Sequence, residues 1–319
     1  MNWEIAKTDH IGGRNKQQDR VTTFSAPNGK THLLVIADGM GGHRGGSLAA
    51  QMVIESAKAL WEEYQQGFMV KRPQEFLRQI CEKTHHEINQ LGKKYDISPR
   101  STCVLLYIHD RQAWWAHVGD SRLYHFRGQK LLYRSRDHSV VQLLADLGRI
   151  KEEEMATHPD QNRLFKGLGG DEPVTPDFGG ADIRPGDTLI LCSDGFWEHV
   201  SPLKISGKLM QTDMPLKKQI NSLLQEALDA GGSKGDNIAI AAAQLSVPDQ
   251  KTFLNRRAYV ILLIISLTCL TGGVWHYLKS RLTPPLYVET LPSNPSKNNT
   301  SVATTMPVLP NTDNTTNHE

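Results

Sequence analysis

The chain has 319 residues, 22% of them charged, and a formal net charge of +2, so its length allows one large domain or two small ones with further segments. So small a net charge lacks the strongly basic character of a nucleic-acid-binding protein, and no nucleic acid is expected as a partner. The four cysteines are scattered without the spacing of a zinc site, which predicts a reduced, cytosolic environment.

Predicted strands and helices follow one another without a regular βαβ alternation. Apolar, β-prone runs predict strands at 32–37, 102–109, 112–118, 188–193 and 237–245. Helical periodicity predicts helices at 46–64, 73–91, 139–147 and 215–230. The residues between the second and third strands are typical of a hairpin turn, so those strands are expected to be antiparallel neighbours. Hairpins with two long helices inserted as a pair predict an α+β layered domain rather than a doubly wound sheet.

A charge-free apolar run at 258–275 lies between basic residues on both sides. With the next three residues at the interface it reaches the ~20 residues of a membrane-spanning helix, so we predict a single span at 258–278. The alternative, a buried core helix, fits less well because the run is apolar on every face. The folded domain is then expected at 1–245, a linker at 246–257, and a disordered tail rich in Pro, Ser, Thr and Asn at 279–319.

Four aspartates recur beside glycine at the ends of predicted strands. Asp38 and Asp194 each follow an apolar strand and precede a glycine. Asp120 follows a glycine after a third strand, and Asp236 comes just before the last strand. A single Asp-Gly pair is most often a turn. Four carboxylates in comparable places indicate instead a cleft in which hard cations such as Mg²⁺ or Mn²⁺ neutralise their repulsion.

Six segments carry distinctive motifs: GGRNKQQDR, VIADGMGGH, STCVLLYIHDRQAWWAHVGDSRLY, RDHSVVQ, LILCSDGFWE and GSKGDNIAI. In order and spacing they resemble the motifs of the type-2C metal-dependent serine/threonine protein phosphatases, the PPM family, and the DGMGGH form resembles its bacterial branch. The resemblance covers roughly 3–245. It implies a four-layer αββα sandwich, in which two antiparallel sheets are flanked by helix pairs. The C-terminal transmembrane helix would be added to that fold as a membrane anchor.

The resemblance also implies a centre of two Mn²⁺ or Mg²⁺ ions, with a third, weaker ion in bacterial members. The implied metal ligands are Asp19, Asp38, Gly39, Asp120, Asp194 and Asp236. Asp38 would bridge both ions, and Gly39 would offer its main-chain carbonyl to one of them. Asp194 and Asp236 would bind the second ion, and Asp120 the third. Asp19 would act on a metal directly or through its water shell.

The implied reaction is hydrolysis of phosphoserine or phosphothreonine on proteins by a metal-bound water. Arg14 and Asp38 are the implied catalytic residues, and the forked guanidinium of Arg14 suits the substrate phosphate. Two positions depart from the family. Gln18 stands where the family has a glutamate, and Met40 where some members have a histidine proposed as general acid, with His43 nearby. The departure at Gln18 supports an alternative, a catalytically impaired pseudophosphatase that acts as a phosphoprotein-binding module.

The expected location is a bacterial inner membrane, crossed once, with the catalytic domain in the cytoplasm. The first twenty residues lack the apolar core of a signal peptide, whereas the basic residues on the two sides of the span are nearly balanced and do not settle its orientation. Expected partners are phosphorylated protein substrates, a cognate Ser/Thr protein kinase that the enzyme opposes, and membrane lipid through the C-terminal helix.

Overall fold

The computed structural model describes residues 2–40, 42–65, 72–211, 213–247 and 250–282, and the chain divides into two compact units, Met1–Phe253 and Leu254–Glu319. The strands are β1 (Trp3–His10), β2 (Asp19–Ser25), β3 (Thr31–Met40), β4 (Arg100–Ser101), β5 (Cys103–His109), β6 (Gln112–Val118), β7 (Arg122–Arg127), β8 (Lys130–Arg134), β9 (Asp177–Asp182), β10 (Asp187–Cys192) and β11 (Ile238–Leu245). The helices are α1 (Gly42–Gln65), α2 (Pro73–Tyr95), α3 (Val140–Asp146), α4 (Asp194–Trp197), α5 (Pro202–Leu209), α6 (Leu216–Gly231) and α7 (Gln250–Leu282).

The described strands form two antiparallel sheets. The first sheet has the order β1-β11-β10-β7-β8, and the second has the order β2-β3-β5-β6-β9, with the short β4 paired to β3. Strands β5 and β6 are antiparallel neighbours, with His109 opposite Gln112. Asp110 lies in the turn between them with a φ of 52°, a left-handed value that Asp tolerates better than most residues. The hairpin predicted from the sequence is therefore confirmed.

Alternation along the strands sends neighbouring side chains to opposite faces of each sheet. Leu34 of β3 and Leu189 of β10 belong to one buried cluster, which fills the space between the two sheets. Leu33 points the other way and packs in a cluster with apolar side chains of α1 and α2. Ile190 does the same on the first sheet, with side chains of α5 and α6. Helices thus cover the outer face of each sheet, which confirms the predicted α+β fold of two antiparallel sheets and helices.

Strand β3 is continuously buried through Ala37 because one of its faces contacts the other sheet and the other face contacts helices. This explains the unbroken apolar run in the sequence. The strand ends at Met40, and α1 begins at Gly42. The transition from buried strand to helix therefore places Asp38 at one rim of the sandwich, where a side chain reaches water without crossing the core.

The C-terminal segment forms the long helix α7, which begins at Gln250, within the predicted linker. Among the described residues, no helix combines the length and the apolar character needed to cross a membrane. That finding does not support the span predicted at 258–278, which starts among residues whose side chains lie outside the described part of the chain, 258–261 and 263. Of the predicted tail, 283–319 also lies outside the described residues.

Candidate active site

Asp19 and Asp38 face each other across the second sheet. Asp19 begins β2, Asp38 lies near the end of β3, and the antiparallel register places them directly opposite one another. Their carboxyl groups share a hydrogen bond. Asp19 is only 2% exposed. Two carboxyl groups this close together, one of them buried, cannot both be ionised without a compensating positive charge.

The first sheet contributes Asp194 and Asp236 to the same rim. Asp194 follows β10 and begins α4, and Asp236 lies just before β11, the neighbour of β10. The two sheets are joined here by Ser193, whose hydroxyl donates to the Asp19 carboxylate at 2.5 Å and accepts from the main-chain N–H of Ala239 at 2.9 Å. The sequence pattern pointed to the aspartates, but nothing in it singled out Ser193 as the residue that connects them.

Asp120 lies where the chain crosses between the sheets, because β6 belongs to the second sheet and β7 to the first. Its side chain is 4% exposed. Within the described residues, its Oδ1 atom is buried and has no hydrogen-bond partner. A buried carboxylate oxygen without a donor is unfavourable unless something else satisfies it. A divalent cation fits this requirement, and the all-oxygen donor set of the rim fits hard cations.

The electrostatics of the rim match this interpretation. Burial, and then the charge of Asp194, raise the pKa of Asp38 and Asp120 well above the usual range, and Asp19 behaves in the same way. Burial and the charge of Asp236 raise the pKa of Asp194 to about 6. Glu198, one turn further along, has its pKa raised to about 8 by burial and then by Asp194. Bare carboxylates here repel one another, and bound cations would remove that repulsion.

Arg14 projects from the loop between β1 and β2 and reaches this rim. Its Nη2 donates to Asp236 at 2.5 Å, and its side chain is 57% exposed. Asn237 fixes both ends of the loop: its Oδ1 accepts from the Gln18 N–H at 2.7 Å, and its Nδ2 donates to the Ile11 carbonyl at 2.8 Å. The loop that carries Arg14 is therefore positioned by the residue that follows Asp236, a role that sequence reasoning missed.

Comparison with known proteins identifies the family. Residues 7–235 match the family described as Protein phosphatase 2C. The chain belongs to the protein phosphatase 2C family. Protein phosphatase PhpP of Streptococcus pneumoniae is 33% identical to it over 248 residues, which cover 77% of this chain and 99% of PhpP. The chain is thus a serine/threonine protein phosphatase of bacterial type.

Two solved structures support the same assignment. The S. agalactiae serine/threonine phosphatase has 32% identity and a TM-score of 0.69, with 76% of this chain and 100% of that chain covered. The catalytic domain of the serine/threonine protein phosphatase PstP, solved in complex with two manganese ions, has 27% identity and a TM-score of 0.63, with 77% and 99% covered. The two manganese ions belong to PstP. They agree with the metal dependence expected of this family.

In the phosphatase, the space around residue 39 admits only glycine. A Cβ at this position would lie 2.0 Å from the carbonyl oxygen of Gly46, so the end of β3 packs directly on the backbone of α1. A Cβ on Gly46 would in turn lie 2.2 Å from the amide nitrogen of Gln18. At Gly39 and Gly46 the glycines therefore allow two stretches of backbone to approach each other closely. The proposed role of the Gly39 carbonyl as a metal ligand stays a prediction.

Gln18 lies inside the site rather than beside it. Besides the bond that its main-chain N–H donates to Asn237, its carbonyl accepts from the N–H of Gly39 at 3.3 Å. The side chain is half-buried and packs where Gly46 leaves room. Met40, which stands where some family members have a histidine, is half-buried at the end of β3, and the side chain of His43 lies outside the described residues.

The main chain of Asp38 is held on both sides by Thr102. The Asp38 N–H donates to the Thr102 hydroxyl at 3.0 Å, and the Thr102 N–H donates to the Asp38 carbonyl at 2.8 Å. Ser101 adds a third bond, from its hydroxyl to the same carbonyl at 3.0 Å. The Thr102 hydroxyl is also 2.7 Å from that of Ser121, next to Asp120. These small polar residues thus hold the main chain at Asp38 and connect it to the neighbour of Asp120.

A separate group of His117, His138 and Asp177 brings three ligand atoms within 4.8 Å of one another, which no three of the described predicted aspartate ligands achieve. A cation is already present in this group, because the Lys166 ammonium lies 3.2 Å from Asp177. Nδ1 of His138 accepts from the Gly119 N–H at 3.1 Å, so the neutral ring carries its hydrogen on Nε2 and offers no lone pair there. The geometry therefore favours an ionic contact over a metal site.

Proposed function

We propose that the phosphatase hydrolyses phosphoserine and phosphothreonine on proteins with two bound Mn²⁺ or Mg²⁺ ions, and a third, weaker one. The observation that carries this proposal is the meeting of carboxylates from both sheets at one rim, where Asp19 and Asp120 are buried and Asp120 Oδ1 is unpaired in the described structure. The residues that would hold the ions are Asp19, Asp38, Gly39, Asp120, Asp194 and Asp236.

The bound ions would neutralise the carboxylates and lower the pKa of a coordinated water, which is the nucleophile in this class of hydrolysis. The chain's own residues orient the reaction. Asp38 would be well placed to hold the ions, because Thr102 and Ser101 fix its main chain and Asp19 contacts its carboxyl group. A well-fixed carboxylate loses little freedom when it binds an ion, which favours tight binding.

Arg14 is proposed to bind the phosphate of the substrate. Its side chain is more than half exposed, and it approaches the rim from a loop that Asn237 anchors. The bond to Asp236 holds the guanidinium beside the carboxylates, where a phosphate on a bound peptide would offer it two further acceptors. A guanidinium binds such oxygens in pairs, and it stays charged at any working pH.

The rival proposal is a pseudophosphatase that binds phosphoproteins without releasing phosphate. The deciding experiment incubates the full-length protein, purified in detergent, with excess phosphothreonine peptide and Mn²⁺. We expect the phosphate released to exceed the enzyme many times over, because the implied aspartate ligands and Arg14 are all present. Peptide binding in an equilibrium assay, with less than one phosphate released per protein, would establish the rival. A phosphotyrosine peptide of the same sequence serves as the control for substrate class.

We further propose that the protein opposes a bacterial Ser/Thr kinase from the inner membrane, with its catalytic domain in the cytoplasm. Support comes from the apolar sequence at 258–278 and from the exposed large side chains along the described part of α7, such as Leu267 and Leu270, each 66% exposed. A helix in water does not usually carry so much exposed apolar surface without a partner or a membrane.

Fractionation of cells tests the location. The full chain is expected in the membrane fraction after alkaline carbonate extraction. The double variant Leu267→Arg/Leu270→Arg is expected to move largely to the soluble fraction, because each arginine at the centre of a span costs ~2.5–3.5 kcal/mol. The matched control changes two exposed leucines of the catalytic unit, Leu147→Arg/Leu203→Arg, and should leave the distribution unchanged. Soluble wild-type protein would contradict the membrane proposal.

A further inference from the structure

The turn that carries Asp120 is held through its main chain by two neighbours. The main-chain N–H of His138 donates to the Gly119 carbonyl at 2.9 Å, and the Nδ1 atom of its ring accepts from the Gly119 N–H. Trp197 donates its indole N–H to the carbonyl of Asp120 at 3.0 Å, and both partners are buried. Trp197 belongs to α4, the short helix that begins at Asp194. The indole therefore links the backbone of one proposed ligand to the helix that presents another.

The indole of Trp197 is itself fixed by a buried cation. The guanidinium carbon of Arg122 lies 3.5 Å above the centre of the indole ring, a close cation–π contact. Arg122 is held in turn by Asp137, with Nε 3.0 Å from Oδ1 and Nη2 2.7 Å from Oδ2. Burial alone would lower the pKa of Arg122, but the charge of Asp137 raises it, so the guanidinium remains charged.

A buried ion pair of this kind is weak evidence for stability, because apolar residues of similar volume usually replace such pairs without loss. The pair of Arg122 and Asp137 does something that apolar residues could not do. Its planar guanidinium fixes the plane of the Trp197 ring, and the plane of the ring sets the direction of the indole N–H. The consequence reaches Asp120, because the acceptor of that N–H is its carbonyl.

We propose that Trp197 is a positioning residue, which through its indole N–H fixes Asp120 relative to Asp194 and thereby sets the affinity of the weaker, third cation site. The inference rests on the proposed function, in which Asp120 binds that ion. Movement of the Asp120 backbone by a few tenths of an ångström changes the position of a carboxylate that has few other bonds. The fixed backbone therefore limits the positions that the buried Oδ1 atom can take.

The test uses the full-length protein and measures Mn²⁺ binding directly, from the electron paramagnetic resonance signal of free Mn²⁺ during a titration. Trp197→Phe keeps an aromatic ring and removes the N–H. We expect its weakest Mn²⁺ site to bind about tenfold less tightly, which corresponds to about 1.4 kcal/mol and is typical of a buried acceptor left without its donor. The tighter sites should be unchanged.

Trp115 offers a matched control. It is 3% exposed, and its indole nitrogen has no hydrogen-bond partner in the described structure. Trp115→Phe therefore removes the same atoms from a buried site without breaking a hydrogen bond, and its Mn²⁺ titration should match the wild type. Equal weakening in both variants would overturn the proposal, because loss of packing would then explain the effect. Mn²⁺ binding by Trp197→Phe that equals the wild type would also overturn the proposal.

A double-mutant cycle separates positioning from general destabilisation. If Trp197 acts through Asp120, the effect of Trp197→Phe on Mn²⁺ binding should disappear in the Asp120→Asn background. Persistence of the full effect there would overturn the proposal. Asp120→Asn alone tests the assignment of Asp120 as a ligand. Weakened Mn²⁺ binding by Asp120→Asn, together with wild-type binding by Trp197→Phe, would retain the metal site and reject the role of Trp197. Urea unfolding of each variant confirms that it is folded.

Discussion

Removal of divalent cations is expected to stop phosphate release by the full-length protein, and addition of Mn²⁺ or Mg²⁺ to restore it. The reason is the charge of the rim. Without cations, burial and mutual repulsion hold the pKa of Asp19, Asp38 and Asp120 well above normal, and the positive group that contacts the aspartates of the rim in the described part of the chain is Arg14, at Asp236. A guanidinium does not supply the activated water that bound cations provide. The measurement is the rate of phosphate release from a phosphothreonine peptide before chelation, after it, and after readdition.

The melting temperature of the same protein, measured with and without Mn²⁺ at two pH values, serves as a control for unfolding. The folded state has carboxyl groups with raised pKa, so it binds more protons than the unfolded chain between the usual pKa and the raised one. Without cations its stability must therefore fall as the pH rises through about 6, the value for Asp194. Mn²⁺ should then raise the melting temperature more at pH 8 than at pH 5.5. Activity that survives exhaustive chelation would rule out the metal-dependent mechanism.

Asp38→Asn is expected to lower the turnover rate at saturating Mn²⁺ by a factor of ~1000 or more. The amide is neutral, so it binds a hard cation poorly, and a bridging position cannot be supplied by another residue. Because the bonds from Thr102 and Ser101 reach the main chain, they persist in the variant. We therefore expect a folded protein in which repulsion with Asp19 is relieved, and which is more stable than the wild type in the absence of metal at pH 8.

Loss of activity together with gained metal-free stability is a combination that unfolding cannot produce. Asp229→Asn is the matched control, since Asp229 is an exposed residue of α6 that makes one bond, to Gln225 four residues earlier. Its activity and stability should equal those of the wild type. An Asp38→Asn protein that retained most of its turnover would show that Asp38 is not the bridging residue.

The inner, buried strands of the two sheets were predictable from the sequence, and several edge strands were not. Strands such as β3 and β10 are recognisable in the sequence as apolar runs, because both of their faces are covered. Strand β1 alternates apolar, charged and polar residues, and only one of its eight residues is fully buried. Strands β2 and β9 are likewise half-buried or exposed along most of their length. Their pairing is decided by distant neighbours, so local pattern carries little signal for them.

The candidate site divides in a similar way. Four of its aspartates, Asp38, Asp120, Asp194 and Asp236, were predictable because each lies next to glycine at the end of a strand, whereas Asp19 has no such neighbour and was implied only by the family resemblance. The residues that hold them, Thr102, Ser193 and Asn237, are small polar side chains whose partners lie 64, 174 and up to 226 positions away in the chain. Nothing within their own segments predicts those contacts. The register that sets Asp19 opposite Asp38 is also a property of the folded sheet.

The order of the first sheet, in which β11 lies between β1 and β10, has a consequence for the newly made protein. The first strand to leave the ribosome has no neighbour in its sheet until the last strand of the domain has been synthesised. Asn237, which anchors the loop of Arg14, arrives only with that last strand. Contacts between such distant parts of a chain form late and slowly. A ribosome-bound chain that lacks β11 therefore has neither a closed first sheet nor an anchored Arg14 loop, and we expect no phosphatase activity before the catalytic domain is complete.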